Sequence, residues 1–136
     1  MNKLNSKTIA KARRICSKYK VKLHLIPTGY CYAKPYTSEI FLVNRMISDN
    51  DFLTALFHEV QHVLNHRSGK YKLYHSSKFN RKEFLRWALP AERYTDRQAE
   101  KLAKFHNFHE FTHSYKEPWA KQFILNVANQ MFPGEQ

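Results

Sequence analysis

With 136 residues, 43% of them hydrophobic and 15% aromatic, the chain is long enough for one domain with its own core, and too apolar to be disordered. Cys16 and Cys31 are too few for a disulfide framework or a thiolate zinc site, and no apolar run reaches the length of a membrane span. The net charge of +12 is uneven, since residues 1–38 carry nine Lys/Arg and no acid while residues 39–62 carry one Arg and four acids. A field of that sign favours nucleic acid, acidic substrates or anionic membrane, and does not choose among them.

In chain order, the first six residues lack a signal-peptide core, so a cytosolic protein with reduced thiols is expected. Residues 5–20 read as an amphipathic helix with Ile9, Ala12, Cys16 and Tyr19 on its apolar stripe. Lys7, Lys11, Arg14 and Lys18 form a basic ridge on another face of it. That ridge is a solvated outer face, a phosphate-binding face or a membrane-facing one. Val21–Ile26 alternates as a strand, Pro27-Thr28-Gly29 turns the chain, and Tyr30–Lys34 is expected to pair back on the first strand. Glu39–Val43 is the third strand; it is expected to line a cleft and to pair with an extended substrate.

A strong helix follows. Ser48 with Asp51 reads as its cap, Ile47 with Phe52 as the staple around the cap, and Gly69 as its stop. Leu53, Leu56, Phe57, Val60, Val63 and Leu64 recur at three- and four-residue spacing. Beyond it, residues 70–78 read as a basic, aromatic loop. A helix is expected from Asn80 to a break before Pro90, and a further one from about Ala91 to Phe105. His106 to Tyr115 reads as a short helix. The last helix opens at Pro118 with Trp119, Phe123, Ile124, Val127 and Met131 on its apolar face, and Pro133-Gly134 ends it.

The chemistry concentrates in the helix that follows Ser48, which holds His58-Glu59-Val60-Gln61-His62. Histidines four apart lie about 40° apart around a helix, so both imidazoles can reach one metal ion. The glutamate after the first histidine then stands where it can take a proton from water at that ion. No other charge falls between the two histidines. The bland alternative, a buried helix with satisfied histidines, leaves Glu59 without a reason on an apolar helix.

A catalytic zinc needs three protein ligands and an open position. Ser68 stands where an extended three-histidine motif would place its third ligand, which excludes that arrangement. His66 lies too far along the helix to share the ion and reads as a helix-end residue. Glu92, thirty residues past His62, is the leading candidate, and Asp96 one turn later can accept the free N–H of a ligating histidine. His75, thirteen residues past His62, is the rival. A second copy of the pattern, His109-Glu110-Phe111-Thr112-His113, has no good third ligand after it, so His106, His109 and His113 read as structural or surface histidines, with an accessory metal site as the alternative.

His58-Glu59-x-x-His62, preceded by a short strand and followed by Glu92-x-x-x-Asp96, resembles the Glu-zincin metallopeptidases. Ala91–Ala99 in particular is similar to the Glu-x-x-Ala-(Asn/Asp)-x-x-Ala pattern of ImmA/IrrE-type peptidases. Gln61 stands where that family usually has Gly or Ala, and Thr95 where it has Ala. The resemblance spans roughly residues 38–105. It implies a small cytosolic zinc protease, often from phage or mobile elements, that cuts or inactivates a DNA-bound repressor. SprT-like proteases are also similar, with His75-Ser76-Ser77-Lys78-Phe79 matching their third-ligand segment, although their cysteine-rich zinc ribbon is absent.

The expectation is therefore one α+β, zincin-like domain over residues 1–136: a basic N-terminal helix, a three-stranded sheet, the motif helix and a helical C-terminal half. His58, His62 and Glu92 are expected to bind one Zn²⁺ per chain, with Glu59 as the proton-transferring base acting on a protein or peptide substrate. Tyr71, Tyr74, His75 and Tyr94 are the candidates for contact with the developing oxyanion. The ridge of Lys7, Lys11, Arg14 and Lys18 would hold DNA or approach a DNA-bound protein. The competing class is a catalytically idle, zinc-stabilised basic module that grips nucleic acid.

Overall fold

Asn5 starts the first helix of the computed structural model, which describes residues 4–45, 47–72, 74, 78–116 and 119–134. The Asn5 side chain accepts from the Lys7 amide at 2.8 Å, and α1 (Ser6–Lys18) buries Ala12, Ile15 and Cys16 while its basic residues face outward. The strands are β1 (Lys22–Ile26), β2 (Tyr32–Lys34) and β3 (Glu39–Val43). Three further α-helices follow among the described residues: α2 (Asp49–Arg67), α3 (Arg81–Phe105) and α4 (Trp119–Met131). The architecture is α+β with a small three-stranded sheet. No helix among the described residues is long and apolar enough to cross a membrane.

The sheet corrects the expected pairing. Its order is β1-β3-β2: β1 runs parallel to β3, with Lys22 opposite Glu39 and Ile26 opposite Val43, and β2 runs antiparallel to β3. Tyr30–Lys34 therefore does not pair back on the first strand. Ile40 and Leu42 are the fully buried side chains of the sheet, so β3 takes its centre. A parallel pair needs a crossover of about a dozen residues, and residues 27–38, including β2 and the 3₁₀ turn Pro35–Thr37, supply it. Both edges of β3 are consumed, so it cannot receive a substrate strand. The outer edges of β1 and β2 are the free ones.

The Ser48 hydroxyl accepts from the Asp51 amide at 3.1 Å to start α2. The helix ends where Gly69 adopts φ +80°, a left-handed conformation that side chains disfavour. Phe52, Leu56, Phe57, Val60 and Val63 of α2 are all fully buried, because sheet, α1 and α3 each cover part of it. Arg67 ties its end to the turn after α1, donating to the carbonyls of Tyr19 and Lys20.

A reciprocal capping box, Asn80 with Glu83, begins α3. The expected break before Pro90 is absent, and the helix runs unbroken to Phe105. Proline frees the carbonyl one turn earlier, here that of Arg86. Pro90 and Arg86 are both exposed, so water can satisfy that group. Inward, Ala99 and Ala103 join the α2 core, whereas Phe84 and Ala88 join a second cluster with Ile124 and Ala128 of α4.

One further expectation fails and another holds only for Phe123, Ile124 and Val127. Residues 106–116 are irregular, not a short helix. Asn107 turns the chain at φ +62°, Phe108 plugs into the core, and backbone groups of Ser114 and Tyr115 bond to side chains of α3 and not to each other. On α4 the buried residues are Ala120, Ile124 and Ala128, while Trp119 and Met131 are 51% and 45% exposed. Alanines let α4 approach the second cluster closely, and that turns Phe123 and Val127 toward a cavity. Pro118, expected to open this helix, lies outside the described residues.

Candidate metal site

His58 and His62 stand one turn apart on α2 and are 7% and 5% exposed, because the apolar residues around them hold that face of the helix in the core. Their Nε2 atoms lie 3.0 Å apart. Across from them α3 delivers Glu92, whose Oε1 is 2.7 Å from both nitrogens. One turn along, Asp96 Oδ1 accepts from His58 Nδ1 at 2.7 Å. Asp96 holds a proton on Nδ1, which leaves Nε2, facing Glu92 and His62, as the nitrogen that can give up its proton and offer a lone pair.

Three electron-rich atoms thus meet at 2.7, 2.7 and 3.0 Å. Such a triangle needs positive charge between its members, either a proton on an imidazole or a metal ion. Tetrahedral zinc, with nitrogen and oxygen ligands at about 2.0–2.2 Å, places ligand atoms roughly 3.3 Å apart, so the donors fit after spreading by a few tenths of an ångström. His58, Glu59 and His62 form a buried group able to hold a metal ion, with ligand-capable atoms all within 4.8 Å of one another. Proximity thus includes Glu59 in the group, whereas direct contact with both nitrogens belongs to Glu92. Contact is the stronger criterion for a ligand.

The electrostatics follow from burial and charge. Burial opposes the charged form of His58, but the hydrogen bonds it donates to Asp96 and Glu92 and the neighbouring carboxylates outweigh it and hold its pKa well above the ordinary value. Burial likewise opposes ionisation of Glu92, yet the two histidines keep its carboxyl well below the usual range. Glu59 is different. It is 8% exposed and makes no hydrogen bond to a described residue, and burial pushes its carboxyl up while the two imidazoles pull it back.

Supporting contacts that the sequence did not reveal complete the site. The Tyr74 hydroxyl donates to the second oxygen of Glu92, and burial together with that carboxylate raises the phenol well above its ordinary pKa. Tyr115 stacks on the His58 ring at 5.6 Å, and the Ser114 amide donates to Asp96 Oδ2 at 2.9 Å. No local pattern marks these contacts, because they join residues far apart in the chain, and Ser114 and Tyr115 depend on the path of an irregular segment.

The two departures from the ImmA/IrrE-type pattern turn out to be linked. Gln61 donates to Asn65 Oδ1 at 2.8 Å, and Asn65 donates to Thr95 Oγ1 at 3.0 Å. The Thr95 hydroxyl in turn donates to the Ala91 carbonyl at 2.7 Å. A polar ladder therefore joins α2 to α3 beside His58, His62 and Glu92, where small apolar residues would leave only packing.

A cavity of about 420 Å³ opens over this group. His58, Glu59, His62 and Glu92 form its polar floor, Tyr32 and Ala33 of β2 stand on one side, and Phe123 and Val127 of α4 on the other. Tyr74 borders the cavity but is committed to Glu92, and Tyr71 and Tyr94 pack on each other with Lys70 over both rings. His75, the rival ligand, lies outside the described residues. The second copy of the motif does not assemble: His109 and Glu110 are exposed, and His113 bonds to Glu100 at 3.0 Å. Of the basic ridge, Lys11, Arg14 and Lys18 line a separate groove, and Lys7 is exposed beside it. Compared with protein-family models, curated proteins and solved structures, the chain has no match.

Proposed function

We propose that this protein is a zinc-dependent peptidase of the zincin type, with His58, His62 and Glu92 as metal ligands. The observation that supports it most is the placement of one Glu92 oxygen 2.7 Å from both imidazoles. It also favours the ImmA/IrrE-like arrangement over the SprT-like one, since Glu92 already fills the third position. Zinc bound there supplies Lewis-acid polarisation of a carbonyl and acidifies water. The chain's own residues do the rest. Asp96 keeps the proton of His58 on Nδ1, and Tyr74 fixes the orientation of the Glu92 carboxylate. Glu59 faces the cavity with no competing hydrogen bond to a described residue, so its carboxylate takes a proton from water and passes it to the leaving amine.

The substrate is an extended peptide segment. The free edge of β2 offers backbone groups for pairing beside the metal ligands, replacing the role first expected of β3. Phe123 and Val127 present an apolar wall opposite it. The reading places the chain in a reducing cytosol, where Cys16 and Cys31 stay free thiols. The ridge of Lys7, Lys11, Arg14 and Lys18 supports a target associated with nucleic acid.

Glu59→Gln tests the peptidase. Glutamine keeps the shape and hydrogen-bonding capacity of the side chain but cannot take the proton, so zinc content should persist while peptide hydrolysis disappears. Hydrolysis at the wild-type rate in Glu59→Gln would refute the role of Glu59. Wild-type protein that carries zinc, binds nucleic acid and hydrolyses no peptide would favour the idle basic module instead.

A further inference from the structure

We propose that the groove between α1 and the C-terminal end of α3 is a binding site for single-stranded nucleic acid, with Phe105 as its base-stacking platform. Lys11, Arg14 and Lys18 line it from α1, and Phe105, His106 and Asn107 from the end of α3. Its volume is about 330 Å³, in the range of sites that take one small-molecule unit at a time. It shares no residue with the cavity over the metal ligands.

Charge is the first argument. No acid occurs in α1, and none of Lys7, Lys11, Arg14 and Lys18 pairs with a carboxylate among the described residues. Their spacing of four, three and four residues sets the cations in a row along one helix face, the arrangement that tracks a phosphate backbone. Elsewhere on the surface Lys70, Arg86 and Arg97 also meet aromatic rings, but there the rings of Tyr71, Trp87 and Tyr94 pack on each other.

Phe105 is the second argument. It is 71% exposed, more than any other large hydrophobic side chain described, and it contributes nothing to the core. Lys18 Nζ lies 5.4 Å from its ring centroid. An exposed ring flanked by cations suits a base whose phosphates lie along the lysines. Duplex DNA would satisfy the cations but offer no free base to the ring. A lipid surface asks for a flat face with several apolar side chains, whereas here one ring rises at the rim of a concave groove.

This inference does not rest on the peptidase reading, and its test keeps the two apart. The zinc-loaded full chain is titrated into a fluorescein-labelled short oligothymidylate and, separately, a labelled hairpin duplex, with anisotropy read across a salt series. Single strand should bind more tightly than hairpin, with log affinity falling against log salt by about 0.7 per phosphate contacted. Phe105→Ala should weaken oligothymidylate binding by about 5- to 150-fold and leave zinc content and peptide hydrolysis unchanged. Phe105→Trp should restore or strengthen binding. Arg14→Glu and Lys18→Glu should flatten the salt slope. Phe105 is on the surface, so these variants should fold, and their circular dichroism checks it. Hairpin binding as tight as single-strand binding, with no effect of Phe105→Ala, would overturn the proposal and leave an unspecific field. So would absence of binding at low salt, or sedimentation with phosphatidylserine vesicles without oligonucleotide binding.

Discussion

Asp96 offers a sharp test of how the site is held, because its two carboxylate oxygens have two different clients. Oδ1 accepts from His58 Nδ1 at 2.7 Å and Oδ2 accepts from the Ser114 amide at 2.9 Å, and the side chain is almost wholly buried. Asparagine has one oxygen and one NH₂, so it can serve one client and must point a donor at the other. Asp96→Asn should therefore behave much like Asp96→Ala. In the alanine variant Nδ1 has no carboxylate partner, so neutral His58 keeps its proton on Nε2, where Glu92 accepts it. That proton occupies the lone pair the metal needs. The expected loss in zinc affinity is about 10–100-fold, or roughly 1.4–2.7 kcal/mol. Without metal, tautomer exchange relieves part of the unpaired-donor penalty of about 1–3 kcal/mol, and the Ser114 amide can turn to water. Apo stability should thus fall by less than about 3 kcal/mol, and the domain should stay folded. Competition with a chromophoric chelator gives the affinity, and urea unfolding with excess chelator gives the stability. Wild-type zinc affinity in both Asp96→Asn and Asp96→Ala would refute the reasoning.

Other consequences follow. Glu92→Ala should weaken zinc binding far more than His75→Ala, measured by the same competition; the reverse order would favour the SprT-like arrangement. Burial, with a small contribution from Glu59 and against the hydrogen bond from Val43, pushes the Cys31 thiol from an ordinary 9.0 up to about 11. A raised pKa favours the unreactive thiol, so at pH 8 its thiolate fraction should be roughly 100-fold below that of an ordinary cysteine, and iodoacetamide labelling correspondingly slow. Labelling at the rate of a free thiol would contradict that environment.

What the sequence disclosed was local, and what it concealed was tertiary. Ser48, Asp51 and Gly69 bound the motif helix because caps depend on neighbours within one turn. Glu92 and Asp96 could be placed on one helix face by spacing alone. Strand order could not, since β1 reaches β3 across the whole crossover and the burial of Ile40 and Leu42 decides the centre. Pro90 misled because its effect depends on which way the freed carbonyl faces, and here that is outward. The second His-x-x-x-His copy repeats the letters, but Asn107 and Phe108 commit its backbone to a different path. Gln61 and Thr95 looked like unrelated departures until Asn65 joined them.

The central claim is that His58, His62 and Glu92 hold a metal ion, and elemental analysis of the purified chain tests it most directly. The expected result is about one zinc per chain, lost in both His58→Ala and His62→Ala variants that remain folded. Zinc retained in full by both variants, or wild-type protein that takes up no zinc when it is supplied, would contradict the account.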